Sequence, residues 1–393
     1  MNTASDLNDS IGMGKKILYI ENVSTIKESN FYYAALQAAH QLGLEFHLAF
    51  NCLDYSKEKT NELEKDLGLI FHQIDFIRNP FHPGNFKAYR QICRVLDSEC
   101  FDIIHCNTPI GGVVGRIAGR SRKIQNILYQ AHGFHFYHSA PLLNWLLFYP
   151  AEKILARLTD LIVTINQEDF TFAKKHLHSR RGVRYVPGVG IKLNENTDLK
   201  NSISKRVQLN VKEDDFIILV VGRLEKNKNC KIILESLNRL QDPNIKVLFC
   251  GDGEDLEMLQ SMTKQYHLME QVLFLGRRSD MNEIYPIANC FVLASFREGL
   301  SRSIMEAMSF GLPCIVSDIR GNRDLIDEKG GFLFHPEDAG ALGNCIATLK
   351  QSKDLQCKMK AHNLQKIKFF SLENVINELL DIYTKLMTYS KEI

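Results

Sequence analysis

The 393-residue chain reads as an α/β protein of two doubly wound halves, each a parallel sheet covered by helices on both faces. Three observations predict this. Short apolar strand-like runs alternate with helical stretches over nearly two hundred residues. The alternation restarts after Pro187-Gly188-Val189-Gly190, the best linker in the sequence. In both halves the strand-like runs end in loops rich in Gly, Asn, Asp and Arg, as ligand-binding loops at the carboxyl edge of a parallel sheet do.

A polar leader covers residues 1–14, with acidic residues and no apolar centre, so it is not a secretory signal. Lys16 to Ile20 is the first strand, a helix from Phe31 stops at Gly43, and Phe46 to Phe50 is the second strand. Ile70 to Ile74 is a weaker strand. Phe101 to Cys106 leads through Asn107-Thr108-Pro109 into a helix start rich in Gly at Gly111, Gly112 and Gly115. Ile127 to Ala131 is a strand ending in His132-Gly133-Phe134-His135-Phe136, Leu161 to Ile165 follows a helix, and Tyr185-Val186 closes the series. In the second half, strands are expected at Phe216–Val221, Ile245–Cys250, Val272–Leu275, Cys290–Ala294 and Cys314–Val316. Helices are expected from Lys231 to Leu240, from Asp255, from Ser301 to Phe310 and from Leu372 to Met387. The domains are therefore 1–188, 189–370 and a terminal helical segment, 371–393, expected to pack back on the first domain.

Apolar residues make up 45% and charged residues 24%, an ordinary globular composition. The net charge of +2 gives no electrostatic support to nucleic-acid binding. Residues 1–190 carry 21 Lys/Arg against 18 Asp/Glu. Two clusters stand out there: Arg116, Arg120, Arg122 and Lys123, then Lys174, Lys175, Arg180, Arg181 and Arg184. They are either a solvated surface or a face for anionic lipid. The ten cysteines are scattered without a Cys-x-x-Cys pair and several fall in strand-like runs, which points to buried thiols rather than to disulfides or zinc. No run of about twenty apolar residues spans a bilayer. The apolar run from Ala140 to Ala151 is too short to cross and too continuous for a clean amphipathic stripe, so a core helix and a shallow membrane-contacting surface both fit it.

The chemistry concentrates in the second half. Arg223 and Lys228, in the loop that follows Gly222, can neutralise a diphosphate, the first as a fork and the second as a point charge. Gly251-x-Gly253 is a weak signal alone. Glu298 precedes a helix start and Glu306 lies within that helix among Ile304, Met305, Ala307 and Met308, where a carboxylate needs a partner or an exposed face. No Asp-x-Asp metal loop is present, and no pair of carboxylates suits a glycoside hydrolase.

Five stretches carry a resemblance: VGRLEKNKN, CGDGEDLEML, VLFLGRRSDM, the run from VLASFREGLSRSIMEAM to IRGNRDLI, and GGFLF. In this order and spacing they resemble the donor domain of retaining family-4 glycosyltransferases, which have the GT-B fold of two Rossmann-like domains facing across a cleft. The first half adds AHGFHFY, APLLNWLLFYP, DLIVTINQED and RYVPGVGI, similar to a bacterial subgroup that builds capsular and exopolysaccharides. The resemblance implies that Arg223 and Lys228 bind the donor diphosphate, that Glu306 accepts from the ribose hydroxyls and that Glu298 contacts the transferred sugar. Gly222, Gly251, Gly276 and Arg277 would border the nucleotide, and Gly299, Leu300 and Ser301 would offer backbone N–H groups. His132 matches a histidine that reaches the sugar from the first domain, so catalysis would require domain closure.

It further implies a metal-independent hexosyltransferase with no cofactor, using a nucleotide sugar, with UDP expected, and a polyprenyl-diphosphate-linked saccharide. The expected location is the cytoplasm, on the inner face of the cytoplasmic membrane. Arg302 departs from the small or apolar residue of many relatives, and the Gly-rich loop of many members is not evident in Glu21 to Ser29. A sugar-nucleotide epimerase of the same architecture, a phosphorylase and a non-catalytic nucleotide-sugar binder are the rival readings.

Overall fold

The computed structural model describes residues 12–22, 31–53, 55–80, 82–194 and 199–388, the side chains of 199–203 excepted. Most of the expected leader and of the stretch from Glu21 to Ser29 lies outside the described residues. The chain divides into two compact units, one of residues 1–190 with 372–393 and one of residues 191–371.

The first unit carries β1 (Lys16–Ile20), β2 (Glu45–Phe50), β3 (Ile70–Gln73), β4 (Ile103–Asn107), β5 (Ile127–Ala131), β6 (Leu161–Thr164) and β7 (Val183–Tyr185). They form one parallel sheet in the order β3-β2-β1-β4-β5-β6-β7. Alternate residues of β1 enter opposite cores: Ile17 and Tyr19 join one apolar cluster, Leu18 and Ile20 the other. Both faces are therefore buried, which is why the strand reads as a continuous apolar run. The terminal helix Leu372–Thr388 buries Val375, Leu379, Ile382, Tyr383, Leu386 and Met387 in the first of these clusters. It packs on the helix Tyr33–Gln41, whose buried alanines Ala34, Ala35, Ala38 and Ala39 allow close approach. Tyr383 Oη lies 2.7 Å from His105 Nδ1, and His105 Nε2 lies 3.0 Å from Gln130 Oε1, so this inserted helix also satisfies a buried imidazole.

The second unit carries β8 (Phe216–Val221), β9 (Ile245–Cys250), β10 (Val272–Gly276), β11 (Cys290–Leu293), β12 (Cys314–Ser317) and β13 (Gly331–Phe334), all parallel, in the order β10-β9-β8-β11-β12-β13. The strand order reverses between β1 and β4 in the first unit and between β8 and β11 in the second. At such switch points the loops leaving the two strands diverge and open a crevice for ligand.

The apolar run from Ala140 resolves into the helix Leu142–Ala156, with Pro150 inside it. It has two apolar faces. Trp145, Phe148 and Tyr149 pack inward against an aromatic cluster with Phe136 and Phe172. Leu142, Leu143, Leu146, Leu147 and Ile154 are 73%, 63%, 64%, 46% and 63% exposed. Among the described residues no helix is long and apolar enough to cross a membrane.

The first basic cluster is not the open patch that its composition suggests. Arg116 is 1% exposed and its guanidinium is bound by Glu152. Arg120 donates to Leu158 O and to Asp160, and Arg122 pairs with Asp97. These cations have protein partners from other elements, which a sequence cluster does not reveal.

Candidate active site

The β8–β11 switch point of the second unit brings together Lys228, Glu298 and the start of the helix that carries Glu306. After β8 the chain turns at Gly222 and runs through a single 3-10 turn, Lys226–Lys228, closed by Asn229 in the left-handed conformation. Asn229 Nδ2 donates to Pro336 O at 2.6 Å, and Asn227 O accepts from Phe296 N–H at 2.8 Å. The loops after β8 and β11 are thereby stitched together, and Lys228 Nζ comes to 2.6 Å from Glu298 Oε1. Both side chains are mostly buried, at 20% and 14% exposure. Their charges are therefore less screened than those of a surface pair.

The loop after β9 approaches the loop after β8 backbone to backbone. Gly222 N–H donates to Cys250 O at 3.1 Å and Leu224 N–H to Asp252 O at 2.8 Å, while Gly251 N–H reaches Gly276 O at the end of β10 at 2.8 Å. A Cβ on Gly251 would lie 1.9 Å from Gly222 O, so only glycine fits here. Gly321 has φ 81° and a Cβ there would lie 2.2 Å from Gly299 O, which explains a glycine beneath the Glu298-Gly299-Leu300-Ser301 loop.

That loop ends at Ser301, the N-cap of the helix Arg302–Ser309. The Ser301 hydroxyl makes no cap bond and meets Ser303 Oγ at 3.1 Å instead. The first-turn N–H groups are thus left without a side-chain cap, and a helix start in this state suits an anion. Glu306, one turn further on, has both a partner and partial exposure. Tyr285 Oη donates to Oε2 at 3.0 Å and Arg302 Nε donates to Oε1 at 2.9 Å. Tyr285 is 1% exposed and stacks on Phe310 at 5.0 Å. Burial, and then the Glu306 charge, push its phenol well above the ordinary range, so it keeps its proton and donates.

Arg223 and Arg277 stand apart from this cluster. Arg223 is mostly exposed, with Nε 3.3 Å from Glu225 Oε2, and Arg277 Nε donates to Asp252 Oδ2 at 2.9 Å. Tyr285 is the site residue that sequence reasoning missed, and Arg302, marked there as a departure from many relatives, was not connected with Glu306. The i,i+4 spacing of Arg302 and Glu306 was a usable signal; Tyr285 lies 21 positions from Glu306 and gave none.

In the first unit His132 follows β5. Its Nε2 is buried and has no hydrogen-bond partner among the described residues, while the ring lies 4.6 Å from the Phe31 ring. Burial lowers its pKa to about 4, so the imidazole is neutral at physiological pH. At the β1–β4 switch point Thr108 has φ 62°, an outlier for a β-branched residue, and its Oγ1 accepts from Asn22 N–H at 3.2 Å.

Two parallel doubly wound units, one with cations, carboxylates and an uncapped helix start at its switch point, form an arrangement that can receive an anionic ligand. Residues 29–188 match the model of Glycosyltransferase Family 4, and residues 201–366 match that of Glycosyl transferases group 1. EpsD of Bacillus subtilis (strain 168) is 34% identical over 389 residues, spanning 95% of this chain and 98% of that protein. The UDP-Gal:alpha-D-GlcNAc-diphosphoundecaprenol alpha-1,3-galactosyltransferase of Escherichia coli is 27% identical over 307 residues, 76% of this chain and 79% of that one. The crystal structure of Anabaena Alr3699/HepE in complex with UDP and glucose superposes with a TM-score of 0.77 at 18% identity, covering 94% of this chain and all of that one. The chain belongs to the family-4 glycosyltransferases of GT-B fold.

Proposed function

We propose that this glycosyltransferase moves a hexose or N-acetylhexosamine from a UDP-sugar, with retention of configuration and without a metal, to a polyprenyl-diphosphate-linked saccharide in surface polysaccharide biosynthesis. The observation that carries the reading is the Lys228–Glu298 pair, set at the switch point where the uncapped helix start also lies. Cleavage of the anomeric bond leaves negative charge on the diphosphate and positive charge on the sugar. Lys228, the first-turn N–H groups and the exposed Arg223 stabilise the first, and they do so most where charge develops. Glu298 takes the sugar hydroxyls, and Glu306, aimed by Tyr285, takes the ribose diol. His132, neutral and with one free nitrogen, suits a saccharide hydroxyl. Attack on the face that the nucleotide leaves, with the diphosphate accepting the acceptor proton, gives retention. The galactosyltransferase relative, named for a UDP-sugar and a diphosphoundecaprenol acceptor, supports both substrate classes.

A thermal-shift screen across UDP-, GDP- and ADP-sugars tests the donor. A UDP-sugar at about 100 times its Kd stabilises the protein by ~2.7 kcal/mol, and Glu306→Ala loses most of that shift. A shift with GDP- or ADP-sugars alone rejects UDP, and an undiminished shift in the variant rejects the ribose role. The exposed leucines of Leu142–Ala156 support contact with the inner leaflet, where a lipid-linked acceptor lies. Because Arg116, Arg120 and Arg122 are engaged within the protein, they add little charge to this contact, whereas Lys153, Lys174 and Lys175 are exposed. Flotation with vesicles of bacterial lipid composition is expected to carry the protein upward, and Leu142→Gln/Leu146→Gln to leave it at the bottom. No flotation of the wild type at low salt rejects membrane contact without touching the transferase.

A further inference from the structure

At the other end of the first sheet, where β1, β2 and β3 begin, two histidines and two glutamates meet away from the loops described above. His47 is fully buried on β2, and its Nδ1 lies 2.8 Å from Nε2 of His72 on β3. Its other nitrogen, Nε2, lies 2.7 Å from Glu45 Oε1. Glu99, which follows the helix Asn85–Ser98, places Oε2 3.7 Å from the same nitrogen. One nitrogen from each imidazole and one Glu99 oxygen lie within 4.8 Å of one another.

The carboxylate of Glu45, held by Lys16 at 2.9 Å, accepts only, so His47 carries its proton on Nε2. Nδ1 is then a lone pair, and the hydrogen between it and His72 belongs to His72. A carboxylate on the far nitrogen of a ligating histidine is the usual outer partner that fixes its tautomer and raises its basicity.

We propose that His47, His72 and Glu99 form a divalent transition-metal site for zinc, with Glu45 as the outer partner of His47. Two imidazoles and a carboxylate are a common zinc donor set, and water completes the coordination. The ion takes the place of the hydrogen between the two imidazoles, with His72 shifting its proton to Nδ1. The nitrogens then separate by about half an ångström, as two bonds of about 2.0–2.1 Å near the tetrahedral angle require. Lys16 Nζ, 2.7 Å from Glu99 Oε2, is the cation that the metal displaces, and Glu99, whose Oε2 lies on the Nε2 side of His47, turns toward the ion at Nδ1 once that pair opens. Its side chain is 30% exposed and can swing into water. The site would staple the edge strand β3 and the Asn85–Ser98 helix to β2, a structural role separate from sugar transfer. The ligands stand at positions 47, 72 and 99, with no short spacing for a motif search to find.

Chelator-treated full-length protein titrated with Co²⁺ tests this. One saturable equivalent is expected, with visible bands of nitrogen and oxygen ligation and no thiolate charge-transfer band. Zn²⁺ should displace it and raise Tm. Glu45→Gln is expected to weaken binding about 10–100-fold. His72→Ala, with an unchanged circular dichroism spectrum, should abolish binding, and Lys16→Met should tighten it. Absence of a saturable equivalent, a thiolate band, or wild-type affinity in His72→Ala overturns the site. Should His72→Ala not fold, Lys16→Met decides, and unchanged or weaker binding there overturns it.

Discussion

Replacing Lys228 by Ala is expected to lower kcat/KM for the donor by roughly 10²–10³-fold, the loss seen when one preorganised donor to a developing oxyanion is removed. The geometry favours the upper end. Asn229 Nδ2, bonded to Pro336 O, and the Asn227–Phe296 backbone bond hold the loop, so the ammonium costs little to position when charge builds on the diphosphate. Lys228→Ala also leaves Glu298, 14% exposed, without its cation, and that mixes a ground-state effect into the measurement. The double variant Lys228→Ala/Glu298→Gln isolates the stranded charge through stability, since Glu298 is itself a sugar-binding group and its loss lowers turnover in its own right. It removes the stranded charge, so thermal stability should return while turnover stays low. Initial rates with the donor found by the nucleotide-sugar screen decide the matter. A single variant within threefold of the wild type would show that Lys228 does not stabilise the leaving group.

The sequence reveals most where a structural element is explained by its own residues. Strands buried on both faces announce themselves as unbroken apolar runs, and β1, β8, β9 and β11 fall within a residue of the expected bounds. The helix Lys57–Leu67 has no buried residue and therefore no apolar period; it rests on the Ser56 cap to Lys59 N–H and on Gly68 in the left-handed conformation. The leucines of Leu142–Ala156 were ambiguous because both faces of that helix are apolar. Only packing tells which one meets the aromatic cluster. Within the site, the Gly222, Lys228, Glu298 and Ser301 loops were legible because one short stretch supplies each group. Tyr285, which aims Glu306, and Glu152, which neutralises Arg116, were not, because each partner comes from a distant element.

Arg116 supplies the second large expectation, in stability. Its Nε donates to Gly112 O at 2.8 Å, Nη2 reaches Glu152 Oε2 at 3.1 Å, and the guanidinium lies 3.8 Å from the Tyr129 ring centroid. The Glu152 contact joins the helix Pro109–Ser121 to the helix whose leucines face outward, while Gly112 lies in Arg116's own helix and Tyr129 on β5. Arg116→Met strands the Glu152 carboxylate at 8% exposure, and removing one partner of a buried pair costs about 3–5 kcal/mol. For a unit of this size that lowers Tm by roughly 6–20 °C. The double change Arg116→Met/Glu152→Leu removes both charges and should recover most of the loss, because a well-packed apolar pair commonly equals the ion pair it replaces. Vesicle flotation should follow the same order, weakened in Arg116→Met and restored in the double variant, since the outward leucines present a surface only while their helix is held from beneath. Unchanged denaturant midpoints in Arg116→Met would mean that the pair does not anchor that helix, and the leucine face would then have to be held by Trp145 and its aromatic neighbours alone.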